Sequence, residues 1–172
     1  MTPISPISKK LLYGTGGVAI SGLGLARYFN WWPFNLQLGP LLTPPNDTKQ
    51  GNRIFLPIRY ADELYPILMQ KPPLLLNFTY RRNPECDKLT GALQRIVALE
   101  TDKKINLVDI EASEPGTREL MLEYRVDHVP MVVALRKQLI VDSYIDKNLT
   151  QDPNKEVDWI NLKNWIENIA QD

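Results

Sequence analysis

Residues 74–89, L-L-L-N-F-T-Y-R-R-N-P-E-C-D-K-L, decide the fold. Residues 74–80 are apolar or aromatic except for Asn77 and Thr79, which is typical of a short strand buried on both faces. After the polar turn, apolar side chains recur at helical spacing, at Cys86, Leu89, Leu93, Ile96 and Val97. This stretch therefore predicts a buried strand, a short loop and an amphipathic helix.

Helix and strand patterns alternate on both sides of this stretch. Upstream, a helical stripe runs through Tyr60, Leu64, Ile67 and Leu68, and Pro66 must kink or end that helix. Downstream, the patterns predict strands at 105–110, 131–135 and 139–144, the last two as a hairpin, and a helix at 119–124. A final helical stripe comprises Trp159, Leu162, Ile166 and Ile169. The order predicts an α/β fold with a mixed central sheet flanked by helices.

Two segments resemble the thioredoxin family. Residues 75–89 are similar to the strand, active-site loop and helix start of a thioredoxin. Residues 108–130, V-D-I-E-A-S-E-P-G-T-R-E-L-M-L-E-Y-R-V-D-H-V-P, are similar to the family's third strand, its P-G-T-type turn and the approach to a cis-proline. The resemblance covers nearly all of residues 58–172 and implies a thioredoxin-like fold, in which Val129–Pro130 would be a cis peptide bond.

Carried over residue by residue, the resemblance implies that the family's dithiol chemistry is lost. The nucleophilic cysteine, whose pKa a helix N-terminus lowers in that family, is replaced by Asn83. The buried aspartate that accepts a proton is replaced by Asn77, and the tryptophan before the nucleophile by Arg82. We therefore expect N-P-E-C at 83–86 to be inactive in exchange by the two-cysteine route.

Cys86 is the single cysteine of the chain, which excludes an intrachain disulfide and any C-x-x-C pair. We interpret it as a small apolar residue on the inner face of the helix, because a buried thiol without a cationic partner stays protonated. The alternative is a monothiol redox enzyme or sensor that acts through Cys86. With one histidine and one cysteine, the sequence predicts no metal site and no cofactor.

The resemblance places a protein partner on the family's substrate-binding surface. Its candidate contact residues here are Arg81, Arg82, Asn83, Glu85, Asp127, His128, Val129 and Pro130. The function that follows is a non-catalytic adaptor, which holds another protein during assembly or maintenance of a complex. A solvated basic pair at residues 81–82 and a solvated loop histidine at 128 remain open as simpler interpretations.

Charge is balanced over the whole chain but not along it. Twenty basic and twenty acidic residues give a formal net charge of zero, which does not favour nucleic acid as a partner. Residues 1–46 nevertheless contain no acidic residue, whereas Lys9, Lys10 and Arg27 are basic. This composition is typical of a targeting segment.

Four interpretations compete for the sixteen uncharged residues 11–26, L-L-Y-G-T-G-G-V-A-I-S-G-L-G-L-A. As a membrane span they reach about 24 Å, which is short for a hydrocarbon core of about 30 Å. The aromatic cluster that follows, at residues 28–34, nevertheless suits a membrane interface. The other interpretations are a mitochondrial presequence cleaved near Phe29, a secretory signal, and a hydrophobic helix packed on the domain.

We expect a mitochondrial protein anchored in the inner membrane through residues 11–26. Lys9 and Lys10 precede the span and only Arg27 follows it closely, so the positive-inside bias directs the domain to the intermembrane space. A matrix location after cleavage and a secretory-pathway membrane are the alternatives.

The remaining stretch, residues 35–57, contains Pro40, Pro44, Pro45 and Pro57 and has no apolar period, so it is predicted to be a linker. The predicted organisation is a targeting and anchor segment at 1–34, a proline-rich linker at 35–57 and a thioredoxin-like domain at 58–172.

Overall fold

The computed structural model describes residues 48–170 of the 172-residue chain. Its strands are β1 (Ile54–Ile58), β2 (Leu74–Thr79), β3 (Asn106–Glu111), β4 (Met131–Arg136) and β5 (Leu139–Tyr144). Its α-helices are α1 (Tyr65–Leu68), α2 (Pro84–Arg95), α3 (Arg118–Glu123), α4 (Lys147–Gln151) and α5 (Trp159–Ile169). Short 3-10 turns lie at Ala61–Glu63 and Pro115–Thr117, and a π-helical turn, Ile96–Glu100, follows α2.

The strands form one mixed sheet in the order β1-β3-β2-β4-β5. β1, β3 and β2 are parallel, β4 is antiparallel to β2, and β5 is antiparallel to β4. The carboxyl ends of the three parallel strands therefore meet the amino end of β4 at one edge, where Phe78 lies opposite Met131. We call this edge, formed by residues 59–60, 80–83, 112–114 and 127–130, the site edge.

Two apolar layers cover the two faces of the sheet. Leu75, Leu93 and Ile166 belong to the layer beneath α2 and α5. Leu76, Phe78 and Leu120 belong to the layer on the opposite face, beside α3. Because neighbouring residues of β2 enter opposite layers, the strand is buried on both faces. The mixed α/β sheet with flanking helices predicted from the sequence is confirmed.

The described domain begins before residue 58, the boundary predicted from the sequence. β1 occupies Ile54–Ile58 and pairs with β3, although its Pro57 suggested a linker. A proline is tolerated here because β1 lies at the end of the described sheet, where an N–H group facing outward has no strand to bond. Asn52, before the strand, is itself buried. Residues 52–57 therefore belong to the domain and not to a linker.

The predicted anchor at residues 1–34, including the span at 11–26, lies outside the described residues, as does the linker up to residue 47. Within residues 48–170, no helix is both long enough and apolar enough to cross a membrane.

Gly116 permits a close contact between the Pro115–Thr117 turn and the end of β1. A Cβ atom at this position would lie 2.5 Å from the carbonyl oxygen of Arg59 and 2.6 Å from Cδ1 of Tyr60. Because the first contact is to backbone, we expect Gly116→Ala to lower the free energy of unfolding of residues 48–172 by about 1–3 kcal/mol in urea titrations.

Gly91 provides the matched control. It lies inside α2, and a Cβ atom there would meet nothing within 4 Å. Gly91→Ala should therefore raise stability by up to about 1 kcal/mol. Equal effects of the two substitutions would contradict the steric argument.

Candidate functional site

The predicted partner-binding residues lie at the site edge, except Glu85, which lies in the first turn of α2. The pairing of Phe78 with Met131 places the loop after β2 next to the loop before β4. The peptide bond Val129–Pro130 is cis, as the resemblance implied. The side chain of Pro130 is buried, whereas His128 and Val129 are half-buried and Asp127 is exposed. Asp127 and His128 are therefore the loop residues whose polar side chains a partner can reach.

Asn83 is the N-cap of α2. Its Oδ1 accepts hydrogen bonds from the backbone N–H groups of Glu85 and Cys86, at 3.0 and 3.1 Å. These bonds satisfy two of the donors that a helix leaves unpaired at its start. The position that the resemblance assigns to the attacking thiolate is thus occupied by a carboxamide that stabilises the helix, and a carboxamide does not attack disulfides.

Cys86 is fully buried on the inner face of α2. The backbone N–H of Tyr80 donates to its Sγ at 3.3 Å. Burial nevertheless raises the pKa of the Cys86 thiol above its ordinary value, because the thiolate would lose its hydration. A buried, protonated thiol is a poor nucleophile. This geometry agrees with the interpretation of Cys86 as an apolar packing residue.

A polar cluster lies beneath α2, and it includes a carboxyl group that the sequence analysis did not single out. The cluster comprises Asn77, Thr90, Gln94 and Asp109, all buried. Nδ2 of Asn77 donates to Thr90 Oγ1 at 2.8 Å and to Asp109 Oδ1 at 2.7 Å. Nε2 of Gln94 donates to the other oxygen of Asp109 at 3.2 Å. A buried acid is therefore present, on the strand next to the one where thioredoxins carry it.

Asp109 is 4% exposed, and its environment disfavours the charged form. Burial raises the pKa of the Asp109 carboxyl to about 6, although the two amide donors oppose the shift. Oδ1 of Asn77 is also buried and has no hydrogen-bond partner among the described residues. The signal in the sequence was an aspartate between the apolar residues Val108 and Ile110 of β3, but its pairing with Asn77 depends on the register between β2 and β3.

Glu111 joins two arginines at the site edge. Its side chain is 2% exposed and forms ion pairs with Arg59 and Arg81, whose side chains are 48% and 50% exposed. The Nε atom of Arg59 lies 3.1 Å from Oε2 of Glu111. Because these residues follow β1 and β2 and end β3, the cluster fixes the carboxyl ends of the three parallel strands relative to one another. Arg59 and Glu111 were missed by sequence reasoning because charged residues at strand ends are common.

From the sequence, Arg81 and Arg82 were interpreted together as a basic pair, but in the structure their contacts differ. Arg81 binds Glu111, whereas Arg82 is exposed and has no hydrogen-bond or ion-pair partner among residues 48–170. Arg82 also has a φ of 59°, in the left-handed region that is unfavourable for a residue with a Cβ atom. Of the two, Arg82 is the arginine available to a partner.

In the part of the chain that the structure describes, no group of three or more histidine, cysteine, aspartate or glutamate residues is arranged to hold a metal ion. The site edge offers exposed and half-buried polar side chains, among them Arg82, Asp127 and His128.

Comparison of the chain with protein-family models finds no match, and comparison with curated proteins finds none either. The structure of the chain is similar to solved structures of thioredoxins. For thioredoxin O2 of Arabidopsis thaliana the TM-score is 0.54 at 13% identity, covering 73% of this chain and 100% of that one. For a mutant thioredoxin of Halobacterium salinarum the TM-score is 0.54 at 19% identity, covering 72% of this chain and 96% of that one. For the thioredoxin of Trypanosoma brucei brucei the TM-score is 0.51 at 16% identity, covering 67% of this chain and 90% of that one.

At these identities the similarity establishes the fold and not an activity. Together with the cis-proline, the buried thiol and the single cysteine, it identifies the described domain as a thioredoxin-like fold without the C-x-x-C pair.

Proposed function

We propose that this chain is a non-catalytic thioredoxin-like adaptor, tethered to the mitochondrial inner membrane through residues 11–26, that binds a protein partner in the assembly or maintenance of a complex. The non-catalytic part of this proposal rests on the burial of Cys86, the single cysteine of the chain. Cys86 is fully buried, and Asn83 caps the helix where the nucleophile would be. The alternative, monothiol chemistry through Cys86, would require the start of α2 to open.

The site edge supports the partner-binding part of the proposal. Arg82 and Asp127 are exposed, and His128 is half-buried on the neighbouring loop. The left-handed backbone at Arg82 is unfavourable by roughly 1 kcal/mol relative to glycine. The described fold gains no hydrogen bond or ion pair from the Arg82 side chain, so we assign that side chain to a partner. Arg81, held by Glu111, would position the loop and not contact the partner directly.

The amino-terminal sequence supports the tether. Residues 1–46 lack acidic side chains, and residues 11–26 are uncharged and precede an aromatic cluster. The two lysines before residues 11–26 favour a topology with the domain in the intermembrane space.

The test is capture of the partner by the tagged full-length chain. One sample of mitochondrial membranes is extracted with carbonate, and a second, untreated sample is cross-linked, solubilised and purified through the tag. We expect the wild-type chain to remain in the pellet and to recover a defined partner. Arg82→Glu should reduce that recovery by at least about tenfold, because it opposes charge at the contact. Arg53→Glu, the same substitution at an exposed position before β1, is the matched control and should recover the partner normally.

Cys86→Ser separates the adaptor from the monothiol alternative. Unchanged recovery with Cys86→Ser supports an adaptor that does not use its thiol. Loss of recovery with Cys86→Ser but not with Arg82→Glu would support monothiol chemistry instead. Equal recovery by the Arg82→Glu and Arg53→Glu variants would contradict the proposed contact surface.

A further inference from the structure

Strand β5 presents an apolar surface at the end of the sheet. Among the described strands it pairs with β4 alone, so its outer side has no strand partner within residues 48–170. Its first three side chains, Leu139, Ile140 and Val141, are 71%, 48% and 45% exposed. Edge strands usually carry charged residues, proline or a covering segment, because free backbone groups beside apolar side chains promote association with another strand.

The opposite edge of the described sheet, strand β1, is protected against the addition of another strand. β1 contains Pro57, which has no N–H group to offer to another strand. Only Leu56 of β1 is strongly exposed and apolar. β5 contains no proline.

The apolar surface extends from β5 towards α1. Ile140 lies opposite Leu135, which is 2% exposed and belongs to the apolar layer that includes Leu76 and Phe78. Met69, just after α1, is 74% exposed, and Nε2 of Gln138 lies 3.7 Å from its Sδ. We call Met69, Leu139, Ile140 and Val141 the β5 patch. Ile140 continues that layer outward, whereas Leu139 pairs with Arg136 and lies on the opposite face of the sheet. A strand added beside β5 would therefore meet apolar side chains on both faces.

The charges around the patch favour a second copy of this chain as the occupant. Lys137 precedes the apolar triplet and Asp142 follows it, and both are exposed. Nε1 of Trp165 donates to Asp142 Oδ2 at 2.8 Å and holds that carboxylate in place. Two copies related by a twofold axis would pair β5 with β5 in antiparallel orientation. The basic start of each strand would then lie beside the acidic end of the other.

We propose that the β5 patch is a self-association site, at which two copies join through β5 into one continuous sheet. The contact is short because the ladder between β4 and β5 is irregular between Ala134 and Leu135, where Val141 has no pairing partner. A short contact of this kind gives a concentration-dependent dimer and not an obligate one. This inference does not depend on the adaptor function, because the patch and the site edge are different surfaces.

Cross-linking of the full-length chain in mild detergent tests the proposal. In a Cys86→Ser background, Ile140→Cys places one thiol in the patch, and a short bismaleimide reagent joins thiols of neighbouring copies. Leu56→Cys is the matched control, because Leu56 is 79% exposed on β1 at the other edge. We expect cross-linked dimers from Ile140→Cys and not from Leu56→Cys.

Sedimentation of the uncross-linked full-length chain supplies the second measurement. Ile140→Lys and Lys137→Glu should each raise the dissociation constant of the dimer by about tenfold or more. Ile140→Lys would bury a charge in the contact, and Lys137→Glu would place a second acidic side chain beside Asp142 of the other copy. Monomers at every concentration, or equal cross-linking at residues 56 and 140, would overturn the proposal. Cross-linking of residue 140 to a different protein would also overturn it and assign this edge to a heterologous partner.

Discussion

Replacing Asp109 with asparagine is expected to stabilise the domain at pH 7 by up to about 3 kcal/mol and to leave its stability near pH 4 almost unchanged. The reason is that the Asp109 carboxyl is 4% exposed and burial raises its pKa to about 6. In the unfolded chain the same group has a pKa of about 3.9.

The direction of the effect follows from proton binding. Between about pH 4 and pH 6 the folded protein keeps the proton on Asp109 and the unfolded chain loses it, so stability falls as the pH rises through this window. Above the window both states are ionised and the full penalty is present, at about 1.4 kcal/mol for each unit of pKa difference. A neutral side chain at this position does not titrate and therefore removes the penalty.

The variant can keep the hydrogen bonds of the cluster. The carbonyl oxygen of asparagine can accept from Nδ2 of Asn77, as Oδ1 of Asp109 does. The new amide group would face Gln94, whose own amide can turn so that its oxygen accepts. The predicted gain thus comes from removal of a charge and not from a new contact.

Urea unfolding of residues 48–172 between about pH 4 and pH 8 measures the effect as the difference between variant and wild type. The control is Asp102→Asn. Asp102 is exposed, and a hydrogen bond and ion pair with Lys49 lower the pKa of its carboxyl, so its neutralisation should not stabilise the protein at pH 7. A difference between Asp109→Asn and wild type that does not grow with pH would contradict the assignment of a raised pKa to this group.

Patterns within single elements were sufficient for most of the fold. The apolar run at β2 and the helical stripes of α2 and α5 were predicted because burial on both faces, or on one face, leaves a period that is visible in the residue order. Strand β1 was missed for the opposite reason, since it is short, lies at an edge and contains Pro57. Helix α4, five residues long, is also too short to show an apolar period.

The candidate site was predictable only in outline. The resemblance located the loops and the cis-proline, because both follow from motif order along the chain. The pairing of Asp109 with Asn77 and the ion pairs of Glu111 with Arg59 and Arg81 could not be predicted. They join residues 30 or more positions apart, and one residue of shift in strand register would place each side chain on the other face of the sheet. The different roles of Arg81 and Arg82 follow from the same contacts.

Replacing Asn52 with alanine is expected to destabilise the domain by about 3–5 kcal/mol, because three hydrogen bonds, two of them buried and one partly buried, are lost together. Nδ2 of Asn52 donates to the carbonyl oxygens of Val97 and Lys103, both at 3.0 Å, and Oδ1 accepts from the backbone N–H of Ile105 at 3.1 Å. Alanine satisfies none of these groups, because its methyl group can neither donate nor accept a hydrogen bond. A deficit of this size approaches the total stability of many domains, so a large unfolded fraction is expected without denaturant.

Circular dichroism and urea unfolding of residues 48–172 measure the loss, with Asn164→Ala, at an exposed position on α5, as the control. The control should change stability by no more than about 0.5 kcal/mol. The same contacts predict that a protein starting at residue 58 fails to fold cooperatively, whereas one starting at residue 48 folds, because the shorter protein lacks Asn52 and most of β1. If Asn52→Ala were as stable as Asn164→Ala, or if the protein starting at residue 58 folded normally, residues 52–57 would be dispensable and the boundary of the domain would lie at residue 58.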